Sequence, residues 1–110
     1  MKASPTQRAL AHYKSLGYRT CITEKWNAWA GVKQDLFGFI DLVALTGSSI
    51  LGVQVTSGAH HTARVAKILA LEAAKQWLIS GGKIVVMSFY KKANGRYTMR
   101  EEEITVDRFL

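Results

Sequence analysis

Two apolar segments separated by a short polar one lie in the middle of the chain. Residues 39–45 and 50–55 are rich in Val, Ile and Leu, whereas Thr46-Gly47-Ser48-Ser49 has the composition of a turn. Strand-like segments joined by a short turn are typical of a β-hairpin. The pattern therefore predicts two antiparallel strands connected by a four-residue loop.

The hairpin also predicts where its polar side chains lie. If Leu45 faces Ile50, Asp41 falls directly opposite Gln54, with Cβ atoms about 4.5–5.5 Å apart. Since side chains alternate along a strand, Thr56 shares the face of Gln54. An unpaired aspartate in so apolar a strand is costly, so Asp41 requires a partner, a cation or a proton. A register slip of one residue would instead turn this patch toward solvent, where Asp41 would be an ordinary strand-end acid.

Two segments carry apolar residues at helical spacing. The first runs from Pro5 to Leu16, where Ser4 and Gln7 form a capping-box start and Gly17 suits a left-handed C-cap. The second runs from about His61 to Ser80, and we expect it to pack on the sheet. Its predicted packing face consists of Ala66, Leu69, Ala70, Ala73 and Trp77.

Strand composition occurs again at residues 18–26 and 83–90, and in one or two short edge strands at 96–99 and 104–106. The 83–90 segment is an apolar run, which is typical of a strand covered on both faces near the centre of a sheet. The segment 27–34 is predicted to be irregular. The acidic run Glu101–Glu103 is expected at a solvated edge or turn.

Length and composition indicate a single globular domain spanning residues 1–110. No apolar run approaches the roughly 18 residues that a membrane helix requires. The chain opens on a polar segment rather than a secretory signal, and its single cysteine, Cys21, excludes an internal disulfide and a cysteine-based zinc cluster. We therefore expect an intracellular, cytoplasmic protein without a membrane partner.

The charge balance suggests a polyanionic partner. Fifteen Lys and Arg residues against eight acids give a formal charge of +7, and nucleic acid is the first candidate. His60, Arg64 and Lys67 follow one another at i, i+4 and i+7, and Lys33 is a further basic candidate. These residues could bind phosphates or form a solvated face.

Two tryptophans and three further polar residues are additional candidates. Trp26 and Trp29 could stack on bases or pack at the rim of the core. Glu24 could complete an acidic cluster with Asp41 or lie in solvent. The other two candidates are Asp35, six residues before Asp41 and either close to the site or a loop cap, and Gln7, whose capping role already accounts for it.

The order helix, strand, strand, strand, helix, strand resembles the PD-(D/E)XK nuclease superfamily. Asp41 follows Ile40 on the second strand, and Gln54-Val55-Thr56 stands on the third. In these features the chain is similar to small phage-type and Holliday-junction-resolvase-like members. The resemblance implies an α/β, restriction-endonuclease-like core with a central mixed β-sheet flanked by helices, in the order α-β-β-β-α-β-β.

The resemblance also implies an activity and a cofactor. The activity is that of an endonuclease that hydrolyses phosphodiester bonds, with DNA as the first candidate substrate. The cofactor is Mg²⁺, or alternatively Mn²⁺, held by Asp41 and the residue at position 54. The sequence does not determine whether the chain works alone or as a homodimer.

Two positions depart from the family pattern. Gln54 replaces the usual carboxylate, so it can ligate a cation but adds no negative charge. Thr56 replaces the usual lysine, which removes a cation from the catalytic set. We expect Lys67, assisted by Arg64, to supply it. Seven helical residues after His60 cover about 10 Å, equivalent to about three strand residues, which brings Lys67 back to the level of Gln54.

Three functions are consistent with these features. The first is a working nuclease whose catalytic groups have been relocated. The second is a nuclease-fold protein that binds nucleic acid without cutting it. The third is a structural or protein-binding module.

Overall fold

The computed structural model describes residues 3–109. Its α-helices are α1 (Pro5–Ser15), α2 (His61–Leu69) and α3 (Glu72–Ile79). Its β-strands are β1 (Arg19–Ile22), β2 (Lys25–Asn27), β3 (Val32–Gln34), β4 (Leu42–Leu45), β5 (Ile50–Ser57), β6 (Lys83–Lys91) and β7 (Tyr97–Ile104). Short 3-10 helices at Gly58–His60 and Val106–Phe109 precede α2 and follow β7.

Five strands form one mixed sheet in the order β1-β4-β5-β6-β7. Strands β5 and β6 are parallel, with α2 and α3 in the connection between them, and the other neighbouring pairs are antiparallel. Strands β2 and β3 form a separate antiparallel ribbon. The predicted α/β class, with a central mixed sheet flanked by helices, is confirmed.

The β4–β5 hairpin has the predicted register. Leu45 pairs with Ile50, and the regular pairing continues to Leu42 opposite Val53. The backbone N–H of Asp41 also donates to Val53 O, at 2.9 Å, so the ladder shifts by one residue at Asp41. The Thr46 hydroxyl oxygen accepts the N–H of Ser49 at 3.0 Å, which closes the loop. The regular pairing stops before Asp41, so Asp41 meets Gln54 through its side chain and not as a ladder partner.

Helix α1 begins and ends close to its predicted bounds. Ser4 Oγ accepts the N–H of Gln7 at 3.2 Å, and Leu16 is the C-cap. Gly17 has a φ of +82°, the left-handed conformation expected after a helix end. The helix ends one residue earlier than predicted.

The predicted first strand over residues 18–26 is wrong beyond residue 22. Thr23 Oγ1 donates to Ile40 O at 2.8 Å, and Thr23 N donates to Asp41 O at 2.9 Å, so these bonds hold the chain at the end of β4. Residues 25–27 then pair with residues 32–34, which were predicted to be irregular. Local composition did not reveal this pairing because the ribbon carries few apolar residues.

The predicted long helix from His61 to Ser80 is two helices. Ala70 is the C-cap of α2, and Leu71, with a φ of −98° and a ψ of 121°, is the extended N-cap of α3. No glycine or proline marks this break. Of the predicted packing face, Leu69 and Trp77 do pack against the core. The fully buried apolar positions of the two helices are instead Val65, Ile68 and Ala74.

Strand β7 is continuous through Glu101–Glu103, which were expected at a solvated edge or turn with one or two short edge strands around them. It pairs with β6 along its whole length. Of these alternatives, the structure has the edge location and a single strand, which is longer than predicted. Alternation along the strand sends Glu102 to the side of the sheet that carries α2 and α3.

Two apolar layers cover the sheet. Helix α1 packs on one face through Ala9 and Tyr13, against residues that include Val53 and Met87. Helices α2 and α3 pack on the other face. Gly52 is required there, because a Cβ atom would lie 2.9 Å from Ile40 Cδ1. In the described part of the chain, no helix has the length and apolar character needed to cross a membrane.

Candidate metal centre

The site is built around Asp41, which directly precedes β4 and is only 3% exposed. Its Oδ2 atom accepts two hydrogen bonds, from Gln54 Nε2 at 2.7 Å and from the backbone N–H of Val55 at 2.8 Å. The predicted approach of Asp41 and Gln54 is therefore present.

Glu24 and Asp35 join Asp41 in a cluster of three carboxylates. One oxygen of each lies within 4.8 Å of the others. The backbone N–H of Glu24 donates to Asp41 O at 3.3 Å, which places Glu24 at the start of β4. We refer to Glu24, Asp35 and Asp41 as the acidic cluster.

A tight turn brings Asp35 back toward Asp41. Gly38 N donates to Asp35 O at 3.0 Å, and Leu36 and Ile40 exchange both of their backbone hydrogen bonds. Phe37 and Gly38 have φ values of +56° and +84°. A left-handed conformation at a residue as bulky as Phe37 costs about 1 to 3 kcal/mol, and such strain concentrates at functional sites.

Contact with α3 supports this strained turn. The rings of Phe37 and Trp77 lie 6.2 Å apart, and Phe39 meets Trp77 edge-on at 6.5 Å. The turn that carries Asp35 therefore packs against the Trp77 ring on α3, so a residue outside the hairpin helps to hold Asp35 in place.

Burial raises the pKa of Asp41 to about 8. A hydrogen bond with Asp35 and the negative charges of Asp35 and Glu24 act in the same direction, whereas the Val55 N–H opposes them. Near neutral pH Asp41 therefore carries a proton unless a bound cation offsets the negative charge around it.

Gln54 contributes a further oxygen atom beside the cluster. Its side chain is 2% exposed, and within residues 3–109 its Oε1 atom has no hydrogen-bond partner. Buried polar atoms are nearly always paired, so this atom calls for a ligand. Carboxylate and amide oxygens are hard donors, the kind that Mg²⁺ and Mn²⁺ prefer. The residues present therefore fit such a cation.

Two lysines flank the acidic cluster. Lys67 Nζ on α2 lies 4.0 Å from Asp35 Oδ2, and Lys33 Nζ on β3 lies 3.8 Å from Glu24 Oε1. Both lysine side chains are substantially exposed, so the ion pairs themselves contribute little stability. Together with Asp35 and its neighbours they line an open depression of about 500 Å³.

The other predicted site residues have varied positions. Arg64 is half-buried on α2, one turn before Lys67, and His60 is exposed at the end of the 3-10 helix rather than within α2. Thr56 is 7% exposed on the face of Gln54. Gln7 is not part of the cluster, because it lies on α1, across the sheet, beside a depression between α1 and β7.

Sequence reasoning missed a buried polar network at the start of α2. His61 Nδ1 lies 2.8 Å from Ser88 Oγ, and His61 Nε2 lies 3.0 Å from Glu102 Oε1. Arg108 also donates to Glu102 at 2.7 Å. The hydrogen bond from His61 and then that from Arg108 lower the pKa of Glu102.

This network has the residue types of a hydrolytic triad, but its side chains are not accessible to a substrate. Ser88 is 0% exposed and His61 1%, so no substrate reaches the hydroxyl. The network instead joins α2 to β6, to β7 and to the C-terminal 3-10 helix. Ser88 is the one small polar residue in the apolar run of β6, and this was the signal in the sequence.

Comparisons of the chain with protein-family models, with curated proteins and with solved structures found no match. The class of this protein is therefore described from its fold and its site alone. It is a mixed α/β protein with a buried acidic cluster able to hold a hard divalent cation.

Proposed function

We propose that the protein is a metal-dependent nuclease of the PD-(D/E)XK type that hydrolyses phosphodiester bonds in DNA. The observation that carries this function is the acidic cluster of Glu24, Asp35 and Asp41 with the ammonium group of Lys67 beside it. Negative groups that hold a cation and a positive group that meets a phosphate are the two requirements of this chemistry.

Asp41, Asp35, Glu24 and the Oε1 atom of Gln54 are the candidate ligands. When bound, Mg²⁺ or Mn²⁺ supplies Lewis-acid stabilisation of the charge that develops on the phosphate and activates a water molecule. The carboxylates of Glu24 and Asp35 also supply the negative charge that the neutral side chain of Gln54 does not provide. The departure from the family pattern at position 54 is thus compatible with metal binding.

Lys67 is the candidate for the positive charge that Thr56 cannot provide. A lysine with a partly exposed ammonium group can exchange Asp35 for a phosphate oxygen at small cost. Lys33 lies on the other side of the same depression. Two cations beside the acids would place a phosphate over the cluster and stabilise it there.

A second candidate function is nucleic-acid binding without cleavage. One observation favours it: Gln54 presents its amide nitrogen, not its oxygen, to Asp41. In this arrangement two N–H donors occupy the Oδ2 atom of Asp41, which leaves that atom less open to a cation. The net positive charge would then bind the phosphate backbone with no chemistry following.

The deciding experiment compares Asp41→Asn with the wild-type protein. Incubation of supercoiled and branched DNA with Mg²⁺ or Mn²⁺ should give cleavage by the wild type and none by the variant. Asp107→Asn is the matched control, because Asp107 is an exposed acid in the C-terminal 3-10 helix. It should cleave normally.

Calorimetric titration with Mn²⁺ alone separates the two functions. One site that is lost in Asp41→Asn supports the nuclease. DNA binding without Mn²⁺ binding or cleavage would instead establish the second function.

A further inference from the structure

The ribbon formed by β2 and β3 projects directly from the candidate metal centre. Glu24 immediately precedes β2, and Asp35 immediately follows β3, so two members of the acidic cluster stand at its base. Any molecule bound at the acidic cluster therefore lies next to the ribbon.

The ribbon exposes two tryptophans. Trp29 at the tip is fully exposed, and Trp26 is 65% exposed. Every residue from 25 to 34 except Asn27 is exposed, so the ribbon faces solvent on both sides. An isolated two-stranded ribbon is at best marginally stable, and large exposed apolar groups in one place mark an interaction site.

Hydrogen bonds fix the tip of the ribbon. Asn27 Oδ1 accepts the N–H groups of Trp29 and Ala30 at 3.0 and 3.1 Å, and Gly31 N donates to Asn27 O at 2.9 Å. Gly31 has a φ of +66°, which closes the turn. The indole of Trp29 is thus presented to solvent from a defined backbone rather than from a loose loop.

The charge of the ribbon indicates what it binds. Residues 25–34 contain Lys25 and Lys33 and no acid. Lys33 stands directly opposite Trp26 in the ribbon, so a cation and an aromatic ring share one face. Aromatic rings interleaved with positive charge are the combination that binds unpaired nucleotides, since the rings stack on bases and the cations contact phosphates.

We propose that this ribbon is a stacking element for an unpaired base, and that the protein therefore acts on single-stranded or branched nucleic acid rather than on uniform duplex. The assignment rests on the proposed function in taking nucleic acid as the ligand. Three ribbon residues at about 3.3 Å each, plus the turn, put Trp29 roughly 10–15 Å from the acidic cluster. That span corresponds to about three or four stacked nucleotides at 3.4 Å each.

The test measures binding of labelled oligonucleotides by fluorescence anisotropy, in EDTA so that no strand is cut. The probes are a single strand, a fully paired duplex and a branched duplex with unpaired nucleotides. Trp29→Ala should weaken binding of the single strand and the branched duplex by about tenfold, since stacking on one base contributes about 1–3 kcal/mol. Binding of the paired duplex should change less than twofold.

Two further variants make the result specific. Trp29→Phe keeps an aromatic face and should retain most of the affinity. Tyr97→Ala removes an exposed ring from β7, the strand at the far edge of the sheet, and should leave the affinity for all three probes unchanged. A preference confined to the branched probe would identify a junction as the source of the unpaired base, and equal preference for the single strand would identify free strands.

Several outcomes would overturn the assignment. These are equal losses for duplex and single strand, no loss at all, or a change in self-association on sedimentation without a change in nucleic-acid binding. The assignment and the proposed nuclease fail separately. Trp29→Ala can lose single-strand affinity in a protein that never cleaves DNA, and a protein that cleaves DNA can be indifferent to Trp29.

Discussion

Replacing Asp41 with asparagine should abolish metal binding and at the same time stabilise the metal-free protein. Asp41 Oδ2 accepts hydrogen bonds from Gln54 and from the Val55 backbone. The asparagine Oδ1 can accept the same two bonds, and its Nδ2 can donate to Asp35. The variant therefore keeps the local structure while it removes a buried charge.

The size of the effect depends on pH. The pKa of Asp41 rises from 3.8 in the unfolded chain to about 8 in the fold. A raised carboxyl pKa contributes stability that is fully present below the unfolded value and is lost as pH rises through the folded value. At about 1.4 kcal/mol for each pH unit, the difference sets an upper limit of about 6 kcal/mol above pH 8. We expect the free energy of unfolding of Asp41→Asn to exceed that of the wild type by only about 2 kcal/mol above pH 8, because burial of the asparagine amide also has a desolvation cost.

Urea unfolding in EDTA at pH 5, 7 and 9 would measure this. The free energy of unfolding of Asp41→Asn should exceed that of the wild type by an amount that grows with pH, and its melting temperature at pH 9 should be higher by about 10 °C. Adding Mn²⁺ should stabilise the wild type and not the variant. A variant that is less stable at pH 9, or a difference that is equal at pH 5 and pH 9, would refute the reasoning.

Three other predictions concern catalysis, acid stability and binding. Lys67→Ala should lower single-turnover cleavage by about 10² or more while DNA affinity falls only modestly, whereas Arg64→Ala should weaken DNA binding itself. Glu102→Gln should remove the part of the acid-induced loss of stability that Glu102 causes below about pH 4.5. A carboxyl group whose pKa is lowered in the fold stabilises the protein above its unfolded pKa, and this stability is lost as pH falls through the lowered value. Urea unfolding at several pH values measures the effect, with Glu103→Gln as the matched control. The DNA association constant should fall steeply between 50 and 200 mM salt, and a flat dependence would exclude phosphate contacts.

The central part of the site could be predicted because one turn determines it. A four-residue loop between apolar segments leaves one register that buries the apolar face, and this register brings the side chains of Asp41 and Gln54 together at the end of the ladder. No long-range information is needed. Lys67 was predicted near this pair from the rises of one helix and one strand, and its ammonium group lies 4.0 Å from Asp35 Oδ2.

The rest of the acidic cluster could not be derived in the same way. Glu24 reaches Asp41 only because β1 ends at residue 22, and the bonds that hold the chain there run to carbonyls of residues 40 and 41. Asp35 arrives through a turn that holds Phe37 in a left-handed conformation that its residue type disfavours. Both depend on tertiary contacts that override local preference.

In the proposed nuclease, the positive charge comes from Lys67 on a helix and not from a lysine on a strand, so the site would depend on how α2 is held. A lysine at position 56 would be fixed by the sheet itself, whereas Lys67 is fixed only as firmly as its helix. His61 ties the first turn of α2 to Ser88 on β6 and to Glu102 on β7, and Lys67 follows six residues later, about 9 Å along the helix. The buried histidine network is therefore the support that a helical lysine requires, and its burial away from any substrate is consistent with that role.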